Sequence, residues 1–286
     1  MSKRTDESTR TRRTVLKEAG VAGIGLTGLG LIGCGDDAGS GAGTAAAEAG
    51  TTAAGSTTSN GSTPACTLAP EMTEGPYYVD LERIRRDVTE DRPGLPLRLE
   101  IQVVDSSSCE PLENAAVDIW HCDALGVYSA IESAGTEDET FLRGVQLTGA
   151  DGVATFKTIF PGWYPGRVTH IHLKVHEGGE ADGSTYQGGH VAHTGQLFFP
   201  DKQVNEVYEL EPYADHEGTR TLLSADSIYL GGDGARVHLI RADKSDLSKG
   251  LTGRITLGVD PDADPVEEST PGGSPDGMPP GGAPPS

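Results

Sequence analysis

Two histidines one residue apart, His170 and His172, lie in the run Arg167-Val-Thr-His-Ile-His-Leu-Lys-Val-His176. As an extended strand, this run puts His170, His172, Lys174 and His176 on one face and Ile171, Leu173 and Val175 on the other. Parallel imidazoles at that spacing can reach one cation, although a solvated polar strand face explains the pattern equally well. Just upstream, Phe160-Pro-Gly-Trp-Tyr-Pro-Gly-Arg167 is a kinked turn that carries Tyr164 and Arg167. Further back, Asp118-Ile-Trp-His-Cys-Asp-Ala-Leu-Gly-Val-Tyr128 ends a strand in a turn that presents Tyr128. Either tyrosine alone reads as a half-buried rim residue with a bonded hydroxyl. Together, two phenolates and two imidazoles make a donor set whose hard anionic oxygens suit a ferric ion, and a bound cation lowers a phenol well below its usual pKa near 10.

The elements needed to position these residues read as β structure. Leu97, Leu99, Ile101 and Val103 alternate along Leu97–Val104. Further short runs are expected at Ala115–Trp120, Val153–Phe160, Arg167–Val175, Gln196–Phe199, Val237–Arg241 and Arg254–Val259. Turn sequences such as Pro111-Leu-Glu-Asn114 and Gly149-Ala-Asp-Gly152 punctuate them. No long stretch has helical periodicity, and Glu177–Thr194 reads as a Gly-rich loop. The expected fold is all-β, a single sandwich domain over residues 66–260.

The flanks differ in composition. Residues 1–33 carry Arg12-Arg13, a weakly apolar run from Ala19 to Gly33, and then Cys34. This pattern resembles a Tat-type signal peptide, too short for a permanent membrane span. Leu31-Ile32-Gly33-Cys34 resembles a lipobox, which would make Cys34 a lipid anchor and the mature protein an exported, surface-held one; a free cysteine after an ordinary signal is the alternative. Residues 34–65 read as a flexible Gly/Ala/Ser/Thr-rich tether, and residues 261–286 as a disordered Pro/Gly-rich acidic tail. Cys66 and Cys109 can pair in an oxidising compartment, leaving Cys122 buried beside Trp120, but sequence does not fix that pairing.

Charge narrows the partners. Lys and Arg number 22 against 43 Asp and Glu, a formal net of −21, and the basic residues are over-represented in the first segment. With no basic stripe, nucleic acid is excluded as a partner. The number of subunits is not readable, so a homo-oligomer stays open.

Six ordered motifs then stand out: Thr73-Glu-Gly-Pro-Tyr-Tyr78, Trp120-His-Cys-Asp-Ala-Leu-Gly-Val-Tyr-Ser129, Phe141-Leu-Arg-Gly-Val-Gln146, Pro161-Gly-Trp-Tyr164, Arg167-Val-Thr-His-Ile-His172 and Gln196-Leu-Phe-Phe-Pro200. In this order they resemble the intradiol ring-cleavage dioxygenases, colinearly from about Leu68 to Pro200 and more weakly to Val259. The resemblance implies a β-sandwich and a non-haem Fe(III) held by Tyr128, Tyr164, His170 and His172. It implies that Tyr164 is the displaceable ligand that accepts a substrate proton, that Arg167 stabilises negative charge on the ring, and that Gln196 lines the pocket. The implied reaction joins a catechol-type diol with O2, cleaving between the hydroxylated carbons to a cis,cis-muconate-type product.

Two departures bear on that reading. About 30 residues separate the tether from Leu97, too few for the helical dimerisation segment of catechol and hydroxyquinol dioxygenases. Export is the other, since most of that family is cytoplasmic. The alternatives are a non-catalytic surface binding module and a zinc hydrolase using His170 and His172. His121 reads as a structural hydrogen-bond partner, His176 as exposed, and His190 and His193 as loop residues at the pocket edge. Tyr77 and Tyr78 are expected to pack over the cavity.

Overall fold

The computed structural model describes residues 66–232 and 235–264. The signal, lipobox and tether expected over 1–65, and the tail beyond Asp264, lie outside the described residues. The strands are β1 (Pro96–Asp105), β2 (Ala116–Trp120), β3 (Arg143–Leu147), β4 (Val153–Ile159), β5 (His170–Asp182), β6 (Thr185–Phe198), β7 (His238–Arg241) and β8 (Leu251–Val259). Two short helices, α1 (Asp201–Val207) and α2 (Ser227–Gly232), fall between β6 and β7.

The strands form two four-stranded sheets, ordered β4-β1-β8-β7 and β3-β2-β5-β6. Among the described strands the pairings are antiparallel except β1 with β8, which run parallel from Leu97↔Leu251 to Asp105↔Val259. The alternation along β1 is realised: Leu97, Leu99, Ile101 and Val103 are all buried. They meet Val117 and Ile119 of β2, Ile171, Leu173 and Val175 of β5, and Leu197 of β6 in one apolar cluster between the sheets. Leucine- and isoleucine-sized side chains in such a layer each contribute about 1.5–3 kcal/mol by leaving water. The core therefore fixes β5 rigidly, with its odd-numbered residues inward and its histidines on the opposite face.

The sequence reading needs three corrections. β5 starts at His170, because Tyr164–Arg167 closes a turn by Arg167 N–H donating to Tyr164 O, with Gly166 at φ +87°. The expected Gly-rich loop at Glu177–Thr194 is instead the outer half of a β5–β6 hairpin, paired Gly179↔Gly188 and Asp182↔Thr185. Glycines erase side-chain alternation without removing backbone donors and acceptors, so the ladder persists where the pattern vanishes. Tyr186 helps hold it, its hydroxyl accepting from Gly179 N–H at 3.0 Å. β3, quoted only as a motif, is a full strand on the far edge of the sheet.

Before β1 the chain runs across the second sheet. Met72 N–H donates to Thr194 O at 2.9 Å and Arg85 N–H to Val145 O at 3.0 Å. A disulfide joins Cys66 to Cys109, in the connection after β1, and Cys122 is a buried free thiol clustered with Trp120. Both outcomes agree with the expected cysteine pattern.

Candidate metal centre

Tyr128 and Tyr164 come from two turns that lock to each other through backbone. After β2, Asp123 Oδ1 accepts from Leu125 N–H and Val127 N–H, both at 3.0 Å, tightening the turn that leads to Tyr128. Gly162 N–H donates to Asp123 O at 3.0 Å. A Cβ at Gly162 would sit 2.4 Å from Asp123 O, and one at Gly126 (φ +84°) would sit 2.3 Å from Trp163 O. Only glycine permits this approach, and it leaves the Tyr128 and Tyr164 rings edge to face with centroids 5.8 Å apart.

His170 and His172 project from alternate positions of β5 into the same space. Their Nε2 atoms are 2.9 Å apart, and Tyr164 Oη is 3.3 Å from His170 Nε2. His170 Nδ1–H donates to Val168 O, which assigns the proton to Nδ1 and turns the Nε2 lone pair into the site. Both imidazoles are almost fully buried. Burial pushes His170 down to about 3 and His172 well below its ordinary range, with the nearby Arg167 guanidinium acting in the same direction. Both rings are therefore neutral and available as donors near pH 7. Burial likewise raises both phenols above their ordinary value, so neither ionises there by itself.

The walls are aromatic. Trp120 lies parallel to His172, with centroids 5.0 Å apart and planes 7° from parallel, and Tyr77 stacks on Tyr128 at 4.4 Å. Gly75, at φ +74°, brings its backbone so close that a Cβ would lie 3.2 Å from His172 Cε1. Tyr78 packs on Trp120, and Lys174 Nζ stands 4.0 Å from the Tyr78 ring centroid and 2.7 Å from Glu74 Oε2. The expected cover of Tyr77 and Tyr78 is thus in place, and His170, His172 and Lys174 are buried beneath it, which removes the alternative of a solvated strand face.

Arg167 closes one side. Its Nη2 donates to Gln196 Oε1, its Nε donates to Asp226 Oδ2 at 2.9 Å, and Gln196 Nε2 donates to Thr73 O at 2.8 Å. All six residues named from sequence therefore meet around one space. Asp226 was missed: an aspartate before a short helix signals a cap, and nothing local signals its reach to Arg167.

The remaining histidines sort differently. His121 is fully buried, with Nδ1 bonded to Cys122 O at 2.8 Å and Nε2 to Thr158 Oγ1 at 2.7 Å, in agreement with a structural role. His176 is half-buried against Tyr186 rather than exposed, because the hairpin folds over it. His193 is buried and bonded to Glu71, tying β6 to the segment before β1, while His190 is exposed and bonded to Pro261 O.

The donor set fits a ferric ion. The buried Tyr128 hydroxyl has no hydrogen-bond partner among the described residues, and the two imidazole Nε2 atoms face each other with a phenol oxygen beside them. Among the described residues no group of three or more His, Cys, Asp or Glu is arranged to hold a metal, and an ion at this place would need the phenols as further donors. A cation among these groups offsets both the burial of the phenols and the repulsion between two phenolates.

A family model described as Dioxygenase matches residues 73–181. The intradiol ring-cleavage dioxygenase from Tetranychus urticae is 33% identical, and the alignment covers 70% of this chain and 98% of that one with a TM-score of 0.61. Catechol 1,2-dioxygenase 1 from Acinetobacter lwoffii is 32% identical over 100 residues, 33% of this chain and 32% of that protein. Catechol 1,2-dioxygenase from Candida albicans is 25% identical over 58% of this chain and 51% of that protein. The chain thus spans between about a third and a half of these curated relatives. The two-sheet β-sandwich is the fold of the solved Tetranychus urticae relative. The chain belongs to the intradiol ring-cleavage dioxygenase family.

Proposed function

We propose that this protein cleaves catechol-type rings with O2 between the two hydroxylated carbons, using Fe(III) held by Tyr128, Tyr164, His170 and His172, and releasing a cis,cis-muconate-type product. The observation that carries this reading is the convergence of those four donors beside the Arg167–Gln196 pair. Relatives that bear the name catechol 1,2-dioxygenase support an aromatic ortho-diol as substrate.

When bound, a ferric ion supplies the Lewis acidity and one-electron chemistry that an aromatic diol needs to react with dioxygen. The protein residues do the rest. Tyr164 is the less buried of the two tyrosines, so its phenol oxygen is the better placed to leave the donor set and take a diol proton. Arg167 offers a fixed guanidinium against negative charge developing on substrate oxygen. Gln196 aligns that guanidinium, and the Tyr77 and Trp120 rings keep water from the reacting ring.

The reading includes export and attachment through Cys34, supported by the sequence of residues 1–34 and by the Cys66–Cys109 disulfide, which suits an oxidising compartment.

The test is the visible spectrum of the purified full-length chain after ferric reconstitution, before and after catechol is added without oxygen. A tyrosinate-to-iron charge-transfer band that shifts with catechol supports the reading. A protein that stays colourless would sink it and favour a binding module, and stoichiometric zinc with ester or amide hydrolysis would favour the hydrolase.

A further inference from the structure

Asp226 is fully buried, yet both of its carboxylate oxygens are saturated. Oδ2 accepts from Arg167 Nε at 2.9 Å and Val168 N–H at 2.8 Å, while Oδ1 accepts from Ile228 N–H and Tyr229 N–H, both at 2.9 Å. Its own turn is fixed in place, because the Tyr229 ring packs against Phe198 of β6 with centroids 5.0 Å apart. Phe198 lies two residues beyond Gln196 on the same strand, so the carboxylate and the glutamine that flank Arg167 belong to one rigid assembly.

Arg167 itself sits on a turn rather than a strand. An arginine side chain has about 2 kcal/mol of rotamer entropy to lose, and a largely buried guanidinium without a counter-charge favours moving to water. Asp226 opposes both tendencies. With Nε on Asp226 and Nη2 on Gln196, Nη1 makes no hydrogen bond to protein among the described residues.

We infer that Asp226 is the positioning residue for Arg167, holding its guanidinium at the substrate edge of the site; the inference rests on the role given to Arg167 above. Asp226 is not a member of the donor set; besides Arg167 it also holds Val168, whose carbonyl accepts from His170 Nδ1–H, and the Arg167→Met background below separates the two routes.

The first measurement needs no metal. The metal-free full-length chain is treated with phenylglyoxal, and modification of each arginine is followed by peptide mass spectrometry. In Asp226→Ser, which keeps a helix-capping oxygen but cannot reach the guanidinium, Arg167 should react about tenfold faster than in the wild type, with exposed Arg98 unchanged. If Asp226→Ser does not fold, Asp226→Asn, which is isosteric, serves the same comparison. Unchanged Arg167 reactivity in a folded variant overturns the proposal, even where the melting temperature falls.

The second measurement uses the iron-loaded chain. Asp226→Asn should lower kcat about tenfold while KM for catechol moves less, and should cost nothing further in an Arg167→Met background. Additive losses in that double variant overturn the proposal. Wild-type kcat in Arg167→Met alone would overturn the charge role of Arg167, and the labelling comparison would still decide whether Asp226 holds it.

Discussion

His170 and His172 hold their Nε2 atoms 2.9 Å apart, from alternate positions of one strand whose other face is locked into the core. Two neutral imidazoles so placed can share at most one proton between them. The geometry favours a cation that both nitrogens can bind. His172→Ala should therefore abolish stoichiometric iron retention, and Tyr164→Phe should weaken it and cut turnover at least about 100-fold. Iron content by metal analysis, paired with an oxygen-uptake assay, checks both. Wild-type iron content and rate in Tyr164→Phe would remove it from the donor set.

Gly162 sets the distance between the two tyrosine turns. Gly162→Ala would drive a methyl to within 2.4 Å of Asp123 O and 2.5 Å of Ala124 O, backbone atoms that cannot rotate away. The expected cost is about 1–3 kcal/mol of stability together with a weakened charge-transfer band, because the rings separate. Denaturant melts and visible spectra of the same samples report the two effects independently.

His121 gives the fold a defined acid sensitivity. Burial, with Arg143 adding to it and a bond to Cys122 O opposing it, brings this imidazole from 6.5 down to about 4. The unfolded chain takes up a proton as pH falls through 6.5, whereas the folded chain does not until about 4. Stability is therefore undiminished above pH 6.5 and declines between 6.5 and 4, by on the order of 3 kcal/mol from this group. His121→Gln should be less stable at pH 7.5 but lose less on acidification, as thermal melts across pH 4.5–7.5 on the metal-free protein will show.

The Cys66–Cys109 bond closes a loop with a sequence separation of 43. By the loop-entropy relation its removal costs about 4 kcal/mol. Cys109→Ser should lower the urea midpoint accordingly, and a reductant should reproduce that loss in the wild type while leaving the variant unaffected.

The legible part of this molecule was the part coded locally. Leu97, Leu99, Ile101 and Val103 announced a strand and its buried face, and the spacing of His170 and His172 announced a shared direction. What sequence obscured depends on contacts between distant segments. A solvated histidine face stays an equal alternative in the strand pattern alone because its cover, Gly75 to Tyr78, lies about a hundred residues upstream. The outer half of the β5–β6 hairpin looked like a loop because glycine carries no alternation, and Asp226 looked like an ordinary cap because its partner Arg167 is 59 residues away.

The disulfide has a mechanical consequence for the cover. A ribbon with a loose end detaches by peeling, one contact at a time, whereas a ribbon riveted at its end must lift as a whole. The strip that carries Glu71, Thr73, Gly75 and Tyr77 over the site begins a few residues after Cys66. A pull that reaches Cys66 is divided between the backbone of the strip and, through sulfur, the connection after β1. The strip, and the aromatic roof that it forms, then shares the load with that connection instead of bearing all of it.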